Sequence, residues 1–244
     1  MKDFEASTYG DRIASHYDAF YGDSGTGSAI STLVDLASGG AVLELGIGTG
    51  RLALPLVELG LEVHGIDASA AMINEMRSKP GGSSIPVTVG SFAEFDLGKR
   101  FSLVFVAFNT FFGLRSQEEQ VSCFAAVARH LMPGGAFVIE AFVPDLSRFD
   151  RNQRVGVSEI TSDQVIIDVS RHDRAAQQVA SQHVAMSAEG IALFPVLVRY
   201  SYPPELDLMA RLAGLRLDVR WADWDRSPFG AGSRNHVSVY RPTG

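Results

Sequence analysis

The stretch Val42-Leu43-Glu44-Leu45-Gly46-Ile47-Gly48-Thr49-Gly50-Arg51 runs from an apolar segment into a turn with glycine at every second position. A residue without a side chain can take positive φ and present a bare N–H, so such a turn lets the backbone pass close under a ligand. About 20 residues further on, at the end of the apolar run Leu61 to Ile66, stands Asp67, where a carboxylate can grip the two hydroxyls of a ribose. The glycine spacing is not that of a dinucleotide turn, which needs a glycine where Arg51 stands. Other groups offer less. Of the six histidines, none stands beside a clear acid partner in sequence. His64 falls inside an apolar run and His130 near a helix C-terminus, both structural positions, whereas His183 belongs to a β-rich stretch and could face a pocket. No Cys/His cluster or Asp/Glu ligand spacing suggests a metal. The single cysteine, Cys123, sits on an apolar helical stripe and reads as a small core residue.

The elements that must position these groups alternate. Strands are expected at 41–45, 61–66, 85–89, 101–106 and 135–141, and helices at 51–59, 69–78 and 117–131. That order predicts a doubly wound, mostly parallel sheet of seven strands with helices on both faces, and the glycine turn and Asp67 then fall at strand carboxyl ends, where such sheets bind ligands. Ahead of this core (41–144), residues 1–36 read as a helical lid. Tyr9, Ile13, His16, Tyr17, Phe20 and Tyr21 share one face of it, Gly22 to Gly27 breaks it, and a second helix spans 29–37. After the fifth strand the pattern becomes alternating and β-branched (155–160, 164–171, 178–186, 191–200), which predicts an antiparallel hairpin cap over 150–200. A helix at 204–213 and strands at 215–221 and 236–241 complete the main sheet over 203–241, so that 1–244 reads as one domain.

Composition narrows the partners. Acidic side chains outnumber basic ones, 28 to 21, for a net charge of −7, with no Lys/Arg-rich run, which disfavours nucleic acid. No apolar run approaches the ~18–20 residues that span a bilayer, and the N-terminus does not read as a secretory signal, so the default location is the cytoplasm. Edges of the hairpin sheet could pair between copies of the chain as a homo-oligomer.

The run Glu44 to Gly50, with His64-Gly65-Ile66-Asp67-Ala68-Ser69 and the later Leu131-Met132-Pro133-Gly134-Gly135-Ala136-Phe137, closely resembles the class I S-adenosylmethionine-dependent methyltransferases. The resemblance implies S-adenosyl-L-methionine as methyl donor and S-adenosyl-L-homocysteine as product. It implies that Gly46 and Gly48 approach the methionine part and ribose, that Asp67 accepts from the ribose hydroxyls, and that Ala68 and Met72 flank the adenine. Glu44 would orient the glycine loop or meet the donor's amino end through water. Where many relatives carry an aspartate toward the adenine amino group this chain has Ser91, a weaker neutral acceptor, with Phe92 beside the ring. The loop Ala107-Phe108-Asn109-Thr110-Phe111-Phe112 would place Phe108 along the donor and Phe111 and Phe112 as an apolar acceptor wall. The Asn-Pro-Pro-Tyr signature of nucleic-acid amino methylation is absent.

Tyr17-Asp18 matches a lid element of small-molecule members, which implies Tyr17 and Tyr9 at the donor and acceptor. Glu140, ending the fifth strand, could bind an acceptor cation or take a proton. Lack of an evident base or metal favours an amine acceptor over a hydroxyl. More loosely, the chain resembles the N-methyltransferases of antibiotic tailoring, which act on amino sugars and lincosamide-type amines. Against this stand O-methylation, a non-catalytic donor-binding module, and a nicotinamide-dependent oxidoreductase, the last opposed by Arg51.

Overall fold

The computed structural model describes residues 1–22 and 26–243. Positions 23–25 of the expected glycine break therefore lie outside the described residues. The central sheet is built from β1 (Val42–Leu45), β2 (Val63–Asp67), β3 (Val87–Val89), β4 (Phe101–Val106), β5 (Leu131–Phe142), β10 (Leu215–Trp221) and β11 (Asn235–Pro242). Its order is β10-β11-β5-β4-β1-β2-β3, with all pairs parallel except those made by β11. The chain order reverses between β1 and β4, and a crevice opens there at the strand carboxyl ends.

Successive side chains of a strand point to opposite faces, and the core divides accordingly. Leu43 and Leu45 of β1, Val104 and Val106 of β4, and Phe137 and Ile139 of β5 join one apolar cluster with α5 (Gln117–His130) and α6 (Pro203–Leu212). Val42, Leu103, Phe105, Ala136 and Val138 join the other, with α2 (Thr26–Ala37) and α3 (Ala53–Glu58). Helices thus cover both faces, as expected. Cys123 is buried on α5.

Element bounds differ modestly from the expected ones. α3 is shorter than 51–59, and β5 reaches back to Leu131, which pairs with Phe101 before a register shift ahead of Leu103. Four antiparallel strands, β6 (Gln153–Ile160), β7 (Gln164–Asp173), β8 (Gln178–Ser187) and β9 (Gly190–Arg199), form a second sheet inserted between β5 and α6.

α1 (Thr8–Tyr21) lies across the crevice and is tied to it by polar contacts. The hydroxyl of Thr49 donates to Asp18 (2.7 Å), Lys79 pairs with the other Asp18 oxygen (2.6 Å), and Ser69 donates to Asp11 (2.7 Å). On its apolar side Ile13 and Ala14 pack with Met72 of α4 (Ala70–Ser78) and Phe194 of β9. α1 therefore joins the main sheet to the hairpin sheet.

Candidate active site

The turn after β1 is shaped for close approach. Gly46 and Gly48 have φ of 75° and 55°, values at which a side chain is strained. A Cβ on Gly46 would stand 2.4 Å from the Thr110 methyl. Asp67, at the end of β2, faces this turn. One of its oxygens accepts from Gly48 N–H (2.7 Å) and the other from Ser69 N–H (2.8 Å). Ser69 itself caps α4, accepting from Met72 N–H, so the helix cap does not need Asp67. Burial raises the Asp67 carboxyl above its ordinary value, although those N–H groups oppose the shift.

Glu44 is buried deeper. Its pKa stands well above the ordinary value because burial outweighs the nearby Arg51 guanidinium. Its Oε2 is buried without a hydrogen-bond partner among the described residues. Arg51 also lies over the Phe108 ring, 5.1 Å from its centroid, and hydrogen-bonds the Tyr17 side chain.

The loop after β4 is strained. Phe108 and Asn109 both have positive φ, 54° and 66°, a conformation that is an outlier for an aromatic residue. Neighbouring groups hold it. The Glu140 carboxylate accepts from Phe108 N–H (2.8 Å), the Glu140 carbonyl from Asn109 N–H (3.2 Å), and the Asn109 side-chain oxygen from Phe142 N–H (2.7 Å). Glu140 is therefore placed as a strut for this loop and does not line the cavity, contrary to its expected contact with the acceptor. Phe112 is also elsewhere. It is wholly buried in the core against Phe111 and Phe142, because the turn following Asn109 directs it inward.

A cavity of about 450 Å³ spans the crevice and passes under the hairpin sheet. One half is lined by the expected donor residues Tyr17, Glu44, Gly46, Gly48, Asp67, Ala68, Met72, Ser91, Phe92 and Phe108, with Tyr9 at their edge. The other half gathers residues distant in sequence. Phe142 ends β5 and Leu146, Arg148 and Phe149 follow it, while Ser170, Ser181, His183 and Tyr200 come from the hairpin region.

Tyr9, Tyr17 and Tyr21 cluster between the halves. Tyr9 hydrogen-bonds Tyr21, and the Tyr17 and Tyr21 rings are 5.1 Å apart. Burial pushes the Tyr17 phenol up to about 12 and Tyr9 higher, so both stay protonated at neutral pH. His64 bonds Glu62 at the surface, and His130 bonds the Ala126 carbonyl and Leu97 N–H. His183 does find an acid: its Nδ1 meets the Asp168 carboxylate. Sequence inspection missed Asp168 because the two residues are neighbours only through β7–β8 pairing, where each stands opposite the other. The alternating pattern of both strands was the one available signal.

A family described as a methyltransferase domain matches residues 42–135. The cypemycin N-terminal methyltransferase of a Streptomyces species is 30% identical over 202 residues, covering 82% of each chain. A dTDP-3-amino-3,4,6-trideoxy-alpha-D-glucopyranose N,N-dimethyltransferase of Streptomyces venezuelae is 28% identical over 131 residues, 51% of this chain and 54% of that one. Among solved structures, the CcbJ methyltransferase of Streptomyces caelestis is 43% identical, covers 99% of this chain and 100% of its own, and superposes with a TM-score of 0.92.

Proposed function

Since the chain belongs to the S-adenosylmethionine-dependent methyltransferases, we propose that it methylates an amine nitrogen on a small natural-product metabolite, an amino sugar or a lincosamide-like antibiotic precursor. The residues present fit the donor. The glycine turn leaves bare peptide where a Cβ would collide, Asp67 has oxygens to offer a diol, and Glu44 Oε2, buried without a hydrogen-bond partner among the described residues, suits a donor or a cation. Bound there, S-adenosylmethionine supplies an electrophilic methyl group on a positively charged sulfur.

The chain's own residues then bind, orient and exclude water. Asp67, Gly46 and Gly48 hold the ribose and methionine ends, Ala68, Met72, Ser91 and Phe92 enclose the adenine, and Phe108 offers an aromatic face to the sulfonium. Tyr9 and Tyr17, protonated, position the acceptor by hydrogen bonds from their place between the halves. α1 closes the crevice over both ligands. The cavity's second half, roofed by the hairpin sheet and lined by aromatic and a few polar side chains, is the observation that carries a small-molecule acceptor. Nitrogen as the accepting atom is supported by the Streptomyces venezuelae relative, whose name specifies N,N-dimethylation, and by the cypemycin relative, whose name places its methylation at an N-terminus.

Incubation with the donor and a panel of amines and alcohols, followed by mass spectrometry and location of the new methyl group, tests the proposal. We expect a gain of one methylene equivalent on an amine nitrogen. Methyl transfer exclusively to oxygen, or donor binding with no transfer across the panel, would overturn it. O-methylation is the second reading, favoured by one observation: the His183–Asp168 pair could also deprotonate a hydroxyl.

A further inference from the structure

The hairpin sheet carries a paired histidine into the cavity. Asp168 and His183 stand opposite each other in the β7–β8 ladder, a placement that brings two side chains on one face within reach. His183 Nδ1 contacts one Asp168 oxygen, and the other accepts from the Ser158 hydroxyl, on β6. An ionised carboxylate only accepts, so the proton of a neutral imidazole lies on Nδ1 and the lone pair on Nε2. The His183 ring lines the cavity and its side chain is 30% exposed. The pair lies beside the tyrosine cluster: the Asp168 charge reinforces burial in raising the Tyr21 phenol, and the Tyr21 ring is 5.1 Å from both Tyr17 and Phe108. Tyr9 and Tyr17, which share this part of the cavity, remain protonated and act as donors.

We propose that His183 accepts the proton that the acceptor amine must lose, with Asp168 as its positioning residue. The inference rests on the amine reading above. An alkylamine reaches the site mainly as an ammonium ion, whose nitrogen has no free lone pair. Nε2 of His183 takes one proton, and the resulting imidazolium is stabilised by Asp168. The freed nitrogen lone pair forms the new N–C bond while the S–C bonding pair leaves with sulfur. The product departs as a protonated methylamine, and His183 returns its proton to water. Charge and atoms balance without a metal or a further reactant.

The test uses the full chain. With an acceptor identified by mass gain, His183→Gln should lower kcat by about 10²- to 10⁴-fold, as expected for loss of a general base, while donor affinity measured by calorimetry stays at the parent value. Added imidazole should restore part of the activity of His183→Gly. Asp168→Asn should lower kcat less, because the base remains but its tautomer is no longer imposed. Independently of turnover, nitrogen-15 spectra of the cofactor-free protein should show His183 protonated at Nδ1, and Asp168→Asn should shift the proton toward Nε2.

An Nε2-protonated His183 in the parent, or a His183→Gln kcat within about threefold of it, overturns the proposal. Methyl found on oxygen overturns the amine reading alone, and the same variants then test the pair on that acceptor. Amine methylation undiminished in His183→Gln overturns the pair alone. If no acceptor turns over, the tautomer decides.

Discussion

The two halves of the cavity solve opposite electrostatic problems. The donor half sits at the ends of parallel strands covered on both faces. It holds the buried Glu44 and the half-buried Asp67, both raised above their ordinary values by loss of water around the carboxyl. The acceptor half lies under an antiparallel sheet with one side open to solvent, where Val155, Val157 and Ile160 are exposed. Behind the lining His183, Asp168 has partners at both oxygens, His183 and Ser158. The donor half is thus costly to keep charged when empty and gains from a cation, whereas the acceptor half is already internally compensated. Ligand affinity and cofactor-free stability should therefore trade against each other in the first half and vary independently in the second.

The sharpest way to break this contrast is Asp67→Ala. It removes the carboxylate that accepts from Gly48 N–H, and donor Kd measured by calorimetry should rise by roughly 5- to 150-fold, about 1–3 kcal/mol for lost bonds to a charged acceptor. Unchanged affinity in a variant with the parent's circular dichroism would remove Asp67 from the donor half. Next comes Glu140→Ala, which leaves Phe108 N–H without its acceptor and releases two residues whose backbone strain costs ~1–3 kcal/mol each. Since this loop touches both halves, KM for donor and acceptor should rise together. A rise confined to the acceptor would restore the direct contact that the fold denies Glu140.

Glu44→Gln separates the halves by sign. A carboxyl raised in the folded state lowers stability at pH above its folded pKa, and the penalty disappears as pH falls below its unfolded value near 4. At neutral pH, Glu44→Gln should stabilise the cofactor-free fold while weakening donor binding. Thermal melts with and without donor should shift in opposite directions. Parallel shifts would mean that Glu44 is merely structural.

The halves also differ in how much of them could be read from sequence. Gly46, Gly48 and Asp67 were legible because a strand-end turn is local: its chemistry lies in one short window, and the next strand brings its partner at a fixed spacing. The doubly wound, mostly parallel sheet followed from the same alternation. Phe112 and Glu140 were misplaced for a local reason too subtle for residue types. Left-handed backbone at Phe108 and Asn109 turns the following residues into the core, and nothing in an aromatic side chain announces positive φ. His183 was legible as a residue that could face a pocket, but its pairing with Asp168 was not. It depends on strand register, and a slip of one residue would turn either side chain to the other face. Tyr9 and Tyr17 fell between these cases: helical spacing showed their shared face, and only docking of α1 showed what that face covers.

That docking supplies the smallest predicted effect and a pH test of opposite sign to that of Glu44. Burial opposes ionisation of Asp18, but hydrogen bonds from Lys79 and Thr49 outweigh it and hold the carboxyl below its ordinary value. A group depressed in the folded state contributes stability that is present above its unfolded pKa, near 4, and lost as pH falls through the folded value. α1 should therefore stay docked through the neutral range and loosen only in acid, while the same acidification relieves Glu44 and Asp67. Asp18 is 45% exposed, so the pair with Lys79 contributes less than ~1 kcal/mol after screening. Asp18→Asn should leave the melting temperature nearly unchanged at neutral pH yet speed hydrogen exchange along α1 in the cofactor-free protein. It should also remove the acid-induced increase in that exchange seen in the parent. If acid loosens the β1 turn before it loosens α1, the assignment of opposite signs to the lid and the donor half is wrong.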